Sequence, residues 1–390
     1  MYLERLDLHD FRSYAEASLE LGPGVRVLIG ANAQGKTNLL EAVQYLSVGA
    51  SHRVANDTPL VRAGHEAATI RAAARVETAD GDPGRSLSVE LELRTGGRNR
   101  AKVNGQLQPR VRDAIGLIRS VMFAPEDLQL VRGDPGDRRR FLDELLGQRR
   151  PAYFAMRQEY DRILRQRNVL LRTARTTGHA DSTLPTWTEA LATTGASLLA
   201  ARIAVVHALS GPAEVAYRDL VTESPEREAT GRLGLDYELS TGRIIAAQPD
   251  EGVPDPAALA EELRQGFADA ADDERDRGVT LLGPHRDELQ LHLNDLPARG
   301  YASHGEIWSL ALSLRLASRE VLHDVGEEPV VLLDDVFAEL DETRRARLAA
   351  RCATFEQVVV TAAVDDDVPL DGPRHKVRAG SVATHGEAPI

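Results

Sequence analysis

The stretch Gly30-Ala31-Asn32-Ala33-Gln34-Gly35-Lys36-Thr37 spells G-x-x-x-x-G-K-[ST], the pattern of a phosphate-binding loop. In such a loop, glycines let backbone N–H groups turn towards phosphate oxygens, the lysine neutralises the outer phosphates and the threonine hydroxyl binds Mg²⁺. A strand-like run (25–29) precedes the loop and a helix-like run (38–43) follows it. We therefore expect all eight residues to bind ATP, with Thr37 as a ligand of Mg²⁺.

Length and charge narrow the class of protein. A chain of 390 residues can hold two or three domains, and its one cysteine, Cys352, excludes an intramolecular disulfide. No signal-peptide core is visible, and no apolar run approaches the roughly 20 residues that cross a bilayer. We expect a cytoplasmic protein without a membrane partner. With a net charge of −13, any nucleic-acid binding must use a local basic face.

The pattern along the chain predicts three segments. Residues 1–124 are strand-rich apart from the helix after the loop, and residues 226–390 alternate strands and helices. Between them, 125–225 is helical, with apolar residues at three-and-four spacing across 153–171 and a second long helix from about Thr186 to Val221. Two long helices joined by a polar turn predict an antiparallel arm.

Two further segments carry weaker patterns. The stretch from Pro256 to Arg277 predicts an acidic helix, which we interpret as a solvated face. The tail after Pro369 is polar, and we expect it to be loosely ordered.

A second nucleotide-site element lies far downstream. Residues 330–333 are apolar and predict a buried strand, which ends in Asp334 and Asp335. A carboxylate in this position holds Mg²⁺ opposite the loop threonine in P-loop ATPases, and the next carboxylate is a candidate general base. We therefore expect Asp334 to bind the metal and Asp335 to be catalytic. Thr37 and Asp334 are 297 positions apart, so a large insertion must separate two halves of one site.

This split resembles the heads of ABC and SMC ATPases, in which ATP lies between two heads. The resemblance implies an α/β P-loop ATPase head with a strand-rich sub-lobe and an inserted helical arm. It also implies that Ser303 and Gly305, which open an apolar helix, contact the nucleotide of the opposite head. The run Ala338-Glu339-Leu340-Asp341 resembles the D-loop of that class.

Arginines cluster where the helical segment begins. From Arg132 to Arg175 there are 12 arginines against six carboxylates. Guanidinium groups bind phosphate oxygens bidentately, which suits contacts to a duplex backbone without sequence readout. A solvated helix face in an arginine-rich composition is the alternative. The candidate DNA-binding residues are Arg138, Arg139, Arg149 and Arg150.

Several short segments, in order, are more specific than the loop. They are Phe11-Arg12-Ser13-Tyr14, Ser51-His52-Arg53, Pro125-Glu126-Asp127-Leu128, Arg138-Arg139-Arg140-Phe141-Leu142-Asp143 and Gly283-Pro284-His285-Arg286-Asp287. With these segments the chain resembles the RecF family of bacterial recombination-mediator ATPases over nearly its whole length. The resemblance implies an ATP-dependent homodimer on duplex DNA beside single-strand gaps, with RecR as a partner and RecO indirectly.

The chain departs from the wider ABC pattern in three respects. His304 and Trp308 stand where glutamine and arginine are usual, no switch histidine follows residues 358–361, and Asp335 replaces the usual glutamate. A shorter catalytic acid is compatible with slow hydrolysis, so the sequence leaves enzyme status open, with a slow ATPase switch as the expectation.

Two other functions are alternatives that the sequence disfavours. An SMC-like chromosome linker needs a coiled coil far longer than the stretch from Asp137 to Val221. A transporter's nucleotide-binding subunit is disfavoured by the arm-length insertion, by the missing switch histidine and by the 125–143 stretch.

Overall fold

The computed structural model describes residues 1–76, 84–177, 182–221, 231–247, 252–326 and 328–384. The chain forms two compact units. The first comprises Met1–Asp127, Asp219–Thr222 and Leu312–Ile390, and the second Leu128–Arg218 and Glu223–Ala311. The division predicted from sequence, at 1–124, 125–225 and 226–390, stays a prediction.

Strands dominate the first unit. The described strands of the chain are β1 (Tyr2–Phe11), β2 (Tyr14–Glu20), β3 (Gly24–Ile29), β4 (Ala67–Val76), β5 (Arg85–Arg94), β6 (Arg100–Val103), β7 (Gln106–Leu107), β8 (Ser120–Phe123), β9 (Leu233–Glu238), β10 (Ile244–Ala246), β11 (Glu288–Leu293), β12 (Leu296–Pro297), β13 (Val330–Asp334), β14 (Gln357–Ala362), β15 (Arg374–Arg378) and β16 (Ser381–Thr384).

Helices dominate the second unit, and α1 and α10 lie in the first. The described α-helices of the whole chain are α1 (Lys36–Val48), α2 (Gln129–Arg132), α3 (Pro135–Arg149), α4 (Ala152–Thr177), α5 (Leu184–Val221), α6 (Pro256–Asp269), α7 (Ala271–Arg277), the kinked turn α8 (Ala298–Tyr301), α9 (His304–His323) and α10 (Glu342–Cys352).

Two six-stranded sheets build the first unit. One is antiparallel, in the order β2-β1-β4-β5-β6-β7, and its long strands alternate buried and exposed residues, as expected of a sheet with one wet face. The other has the order β16-β15-β3-β14-β13-β8 and is parallel except at β16. Every residue of β13 and β14 is buried. Continuous apolar runs such as 358–360 are typical of parallel strands that are covered on both faces. This parallel sheet positions the phosphate loop.

The second unit contains the two long helices that the sequence predicted, α4 and α5, and a four-stranded antiparallel sheet in the order β10-β9-β11-β12. Arg167 of α4 donates to the hydroxyl of Thr188 on α5 (3.0 Å), and the Arg162 guanidinium lies over the Trp187 ring. Helix α5 is long and apolar enough to cross a membrane, yet 56% of its most apolar window is buried inside the protein, as in the core helix of a soluble domain.

The structure corrects two sequence-based expectations, the first of them only in part. The acidic stretch forms two helices, α6 and α7, and most of its carboxylates are exposed as expected, but Glu274 is not. Glu274 of α7 is fully buried, because Arg167 neutralises it at 2.6 Å. The tail after Pro369 is not loosely ordered up to residue 384, because β15 pairs with β3 and β16 with β15.

Candidate nucleotide site and nucleic-acid surface

The phosphate loop connects β3 to α1 in the first unit. Gly35 has φ of +110°, and a Cβ atom on it would lie 2.8 Å from the Tyr14 hydroxyl oxygen, so only glycine fits. That hydroxyl donates to the Gly35 carbonyl oxygen at 3.0 Å. The loop therefore enters α1 in a fixed conformation, with the helix N-terminus facing the loop.

The two distant halves of the predicted site meet. The Thr37 hydroxyl donates to Asp334 Oδ1 at 3.0 Å, and the Thr361 hydroxyl donates to the same oxygen at 2.7 Å. The strand order brings these residues together, because β14 lies between β3 and β13 in the parallel sheet. The register of β13 and β14 pairs Thr361 with Asp334. Carboxyl ends of parallel strands share one edge, where ligands bind in such folds.

Lys36 and Asp335 lie at the same edge. Lys36 is buried, and its Nζ atom donates to the carbonyl oxygens of Gly30 (2.8 Å) and Ala31 (3.4 Å). Asp335 Oδ2 is 3.8 Å from that Nζ atom, and 35% of the Asp335 side chain is exposed. The amine thus holds the loop closed and stands beside the carboxylate.

The surroundings of Asp334 shift its pKa upwards. Burial raises its pKa, and although hydrogen bonds from Thr361 and Thr37 lower it, the nearby carboxylates of Asp335 and Glu126 raise it further. Asp334 is a buried anion among other anions, so a cation at this edge would stabilise it. The hydroxyl and carboxylate oxygens of Thr37 and Asp334 are the hard donors that Mg²⁺ prefers.

Two of the short segments singled out in the sequence, 11–14 and 51–53, contact helix α1. Arg12 pairs with the fully buried Glu41 of α1, and the Ser51 hydroxyl donates to the same carboxylate. Arg53 Nη1 donates to Asn38 Oδ1 (3.0 Å), and Asn38 Nδ2 donates to the Ser13 hydroxyl (3.0 Å). The segments 11–14 and 51–53 therefore converge on the first turns of α1.

Ser303 and Gly305 lie in the second unit, at the start of α9. The exposed Ser303 accepts the Glu306 N–H (3.4 Å) and donates its own N–H to the Glu306 carboxylate (2.7 Å), which is a capping box. Arg132 donates to His304 Nδ1 at 2.9 Å. The side chains around this helix start are therefore ordered within the second unit.

The predicted DNA-binding arginines differ in availability. Arg138 is only 4% exposed; its guanidinium pairs bidentately with Glu288, both bonds at 2.7 Å, and also donates to the carbonyls of Leu130 and Gly133. A buried, neutralised guanidinium cannot reach a phosphate, so Arg138 is corrected to a structural role. Arg139 is half-buried and donates to the Asp287 carbonyl oxygen (2.6 Å), Arg149 is half-buried and Arg150 is exposed.

Sequence reasoning missed two site residues. The Thr361 hydroxyl accepts the backbone N–H of Asp335 at 2.9 Å and donates to the Asp334 carboxylate. Glu126 follows β8, the neighbour of β13. The signal for Thr361 was a hydroxyl at the end of the apolar run 358–360, one parallel strand from the paired carboxylates.

The chain is similar to known proteins in sequence and in fold. The family model described as RecF/RecN/SMC N terminal domain matches residues 2–368. The DNA replication and repair protein RecF of Streptomyces avermitilis is 51% identical over 390 residues, covering 98% of this chain and 99% of that protein.

Two solved structures are also similar along their full length. The recombination mediator protein RecF-ATPrS in the RecFOR pathway is 28% identical, with a TM-score of 0.87 over 99% of this chain and 98% of that one. RecF-ATP in the same pathway is 28% identical, with a TM-score of 0.84 over 98% of this chain and 99% of that one. The fold is the α/β head that RecF and SMC proteins share, and the chain belongs to the RecF family of DNA replication and repair proteins.

Proposed function

We propose that this protein is an ATP-dependent DNA-binding protein of replication and recombinational gap repair. ATP closes two copies around duplex DNA next to a single-strand gap, hydrolysis releases them, and the bound dimer helps load recombinase. The observation that carries the proposal is the hydrogen bond between Thr37 and Asp334, because it joins the two elements of a P-loop ATPase site across 297 positions.

Each residue at the edge of the sheet takes one task. Residues 30–35 present backbone N–H groups to the phosphates, and Lys36 leaves the Gly30 carbonyl to neutralise the outer ones. Thr37 and Asp334 would hold Mg²⁺, which would neutralise charge on the outer phosphates. Asp335 accepts a proton from the attacking water as general base, which makes the protein a slow ATPase.

The remaining assignments rest on family membership. Ser303 and Gly305 of one copy contact the nucleotide of the other, so the homodimer is ATP-dependent. Related structures are described within a RecFOR pathway, and we extend that to this chain with RecR as direct partner and RecO as indirect partner. The protein works in the cytoplasm, where its DNA is.

A lysine replacement tests the nucleotide site. Lys36→Ala should weaken ATP binding about a hundredfold, because losing hydrogen bonds from a charged group costs up to about 3 kcal/mol. Lys102→Ala is the matched control, since Lys102 pairs with Glu90 on the antiparallel sheet. Both variants should keep the wild-type circular dichroism spectrum. Equal affinity of Lys36→Ala and wild type for ATP in a calorimetric titration would refute the site.

A further inference from the structure

The C-terminal strands lie alongside the phosphate loop. Strand β15 pairs in parallel with β3, and Lys376 is opposite Ile29, the last residue before the loop. The turn between β15 and β16, Ala379-Gly380, then reaches Gln34 near the end of the loop. The Ala379 N–H donates to Gln34 Oε1 at 2.8 Å, and the Gly380 N–H donates to the Gln34 carbonyl oxygen at 3.3 Å. We call these two bonds the hairpin latch.

Backbone packs against backbone on both sides of the latch. A Cβ atom added to Gly30 would lie 2.2 Å from the Val377 carbonyl oxygen. One added to Gly380, which has φ of +75°, would lie 2.6 Å from the Ser13 carbonyl oxygen. Because neither glycine has space for a Cβ atom, the backbones of the loop and the hairpin lie against their neighbours, and the loop has little room to move.

The motif itself demands nothing at position 34. In G-x-x-x-x-G-K-[ST] this residue is free, because the loop binds phosphates through its backbone N–H groups and its lysine. The Gln34 side chain points its oxygen at a hairpin 345 positions further along the chain. The bond to Ala379 therefore points to a role in holding the loop against the hairpin.

We propose that Gln34 is a positioning residue, and that the hairpin latch holds the phosphate loop in its binding conformation before nucleotide arrives. The proposal rests on the proposed nucleotide site and adds a contribution of the C-terminal strands to nucleotide affinity. Ordering a loop costs free energy for each backbone residue fixed, so a loop ordered in advance binds more tightly.

The test uses two variants on opposite sides of the latch in the full-length protein. Gln34→Met removes the side-chain acceptor at similar volume. Gly380→Val leaves every residue of the loop unchanged but displaces the turn, because its Cβ would lie 2.6 Å from the Ser13 carbonyl oxygen. Gly97→Val is the control, since Gly97 also has a positive φ (+94°) but has open space around it, in the connection between β5 and β6.

We expect each latch variant to raise the Kd for ATP about five- to tenfold, the loss of one net hydrogen bond. The double variant should bind no more weakly than either single variant, because both break the same latch. Gly97→Val should bind as wild type does. Unchanged affinity in both latch variants would overturn the proposal, and so would additive losses, which would mean that Gln34 contacts the nucleotide itself.

Hydrogen exchange of residues 31–36 without nucleotide gives a second readout. Both latch variants should exchange faster there than wild type and Gly97→Val. Because no nucleotide is present, this readout tests the latch even if ATP binding by the wild type fails, an outcome that would refute the proposed function instead. Wild-type exchange rates in both latch variants would overturn the latch.

Discussion

Asp334, the last residue of β13, and Asp335, which follows it, have different surroundings. Asp334 is buried and accepts the hydroxyls of Thr37 and Thr361. Asp335 adopts a left-handed backbone conformation, φ +50°, and its partly exposed side chain lies beside Lys36. Such strained positions concentrate at functional sites. The burial of Asp334 and the partial exposure of Asp335 suit the roles proposed for them, metal ligand and general base.

Asp335→Asn tests the second of these roles. The variant should bind ATP as wild type does, because asparagine tolerates the left-handed conformation and Lys36 keeps its loop contacts. Hydrolysis should fall about a hundredfold or more, the usual contribution of a general base. Phosphate release in single turnovers measures it, with the exposed Asp366→Asn as control. Wild-type hydrolysis by Asp335→Asn would exclude Asp335 as the base.

At the scale of elements, the Gly283–Asp287 turn lies in a buried polar network. Arg202 of α5 pairs bidentately with Asp143 of α3, both bonds at 2.9 Å, and donates to the Pro284 carbonyl oxygen at 2.6 Å. Tyr237 of β9 donates to Asp287 (3.1 Å), and His285 hydrogen-bonds to the Tyr160 hydroxyl (2.8 Å). The turn thus ties helices and sheet of the second unit together, and it leaves Arg286 exposed.

This network makes stability depend on pH in two opposing ways. Burial raises the pKa of Asp287 from 3.8 to about 6, so between these values the folded state binds more protons and the free energy of unfolding falls as pH rises. Burial lowers the pKa of His285 from 6.5 to about 4, so over that range the folded state binds fewer protons and the free energy of unfolding rises with pH.

Asp287→Asn removes the carboxyl group whose titration makes the free energy of unfolding fall as pH rises, and it leaves His285 in place. From pH 4.5 to 5.5 the variant's free energy of unfolding should therefore rise more steeply than that of wild type, by up to about 1.4 kcal/mol per pH unit for one proton. Urea unfolding in dilute solution, followed by tryptophan fluorescence, measures it, because both tryptophans, Trp187 and Trp308, lie in the second unit. Parallel pH profiles for the variant and wild type would contradict this account.

Elements with strong local patterns were predictable, whereas those that depend on distant partners were not. The periodic helices α4 and α5 and the apolar strand β13 follow from spacing alone. Strands β15 and β16 were missed because they are short and polar, and they form only because β15 pairs with β3 and β16 with β15. Arg138 was misassigned because the Glu288 that neutralises it lies 150 positions away.

At the scale of the whole molecule, the charge of −13 leaves DNA binding to local cations. Arg138 pairs with Glu288 and Arg139 donates to the Asp287 carbonyl oxygen, whereas the described residues offer no side-chain hydrogen bond or ion pair to Arg149 or Arg150. Replacing both with alanine should weaken duplex binding and flatten the slope of log K against log salt by about two units, one per phosphate contact.

Arg162→Ala is the matched control for that DNA-binding measurement, because Arg162 already pairs with Glu159 on an exposed helix face. It should leave the salt slope unchanged. If affinity and slope also stay unchanged in the Arg149 and Arg150 double variant, the DNA site lies elsewhere, and the strand-rich sheets of the first unit are the next surface to test.

The proposed function requires that ATP joins two copies of this chain on gapped DNA. Analytical ultracentrifugation of wild type and Ser303→Arg, with and without ATP and gapped duplex, tests this requirement. We expect wild type to change from monomer to dimer only when ATP is present. Ser303→Arg should bind ATP yet stay monomeric, because a bulky cation would occupy the contact to the opposite nucleotide. A wild type whose sedimentation ignores ATP, or a Ser303→Arg variant that dimerises as wild type does, would contradict the account.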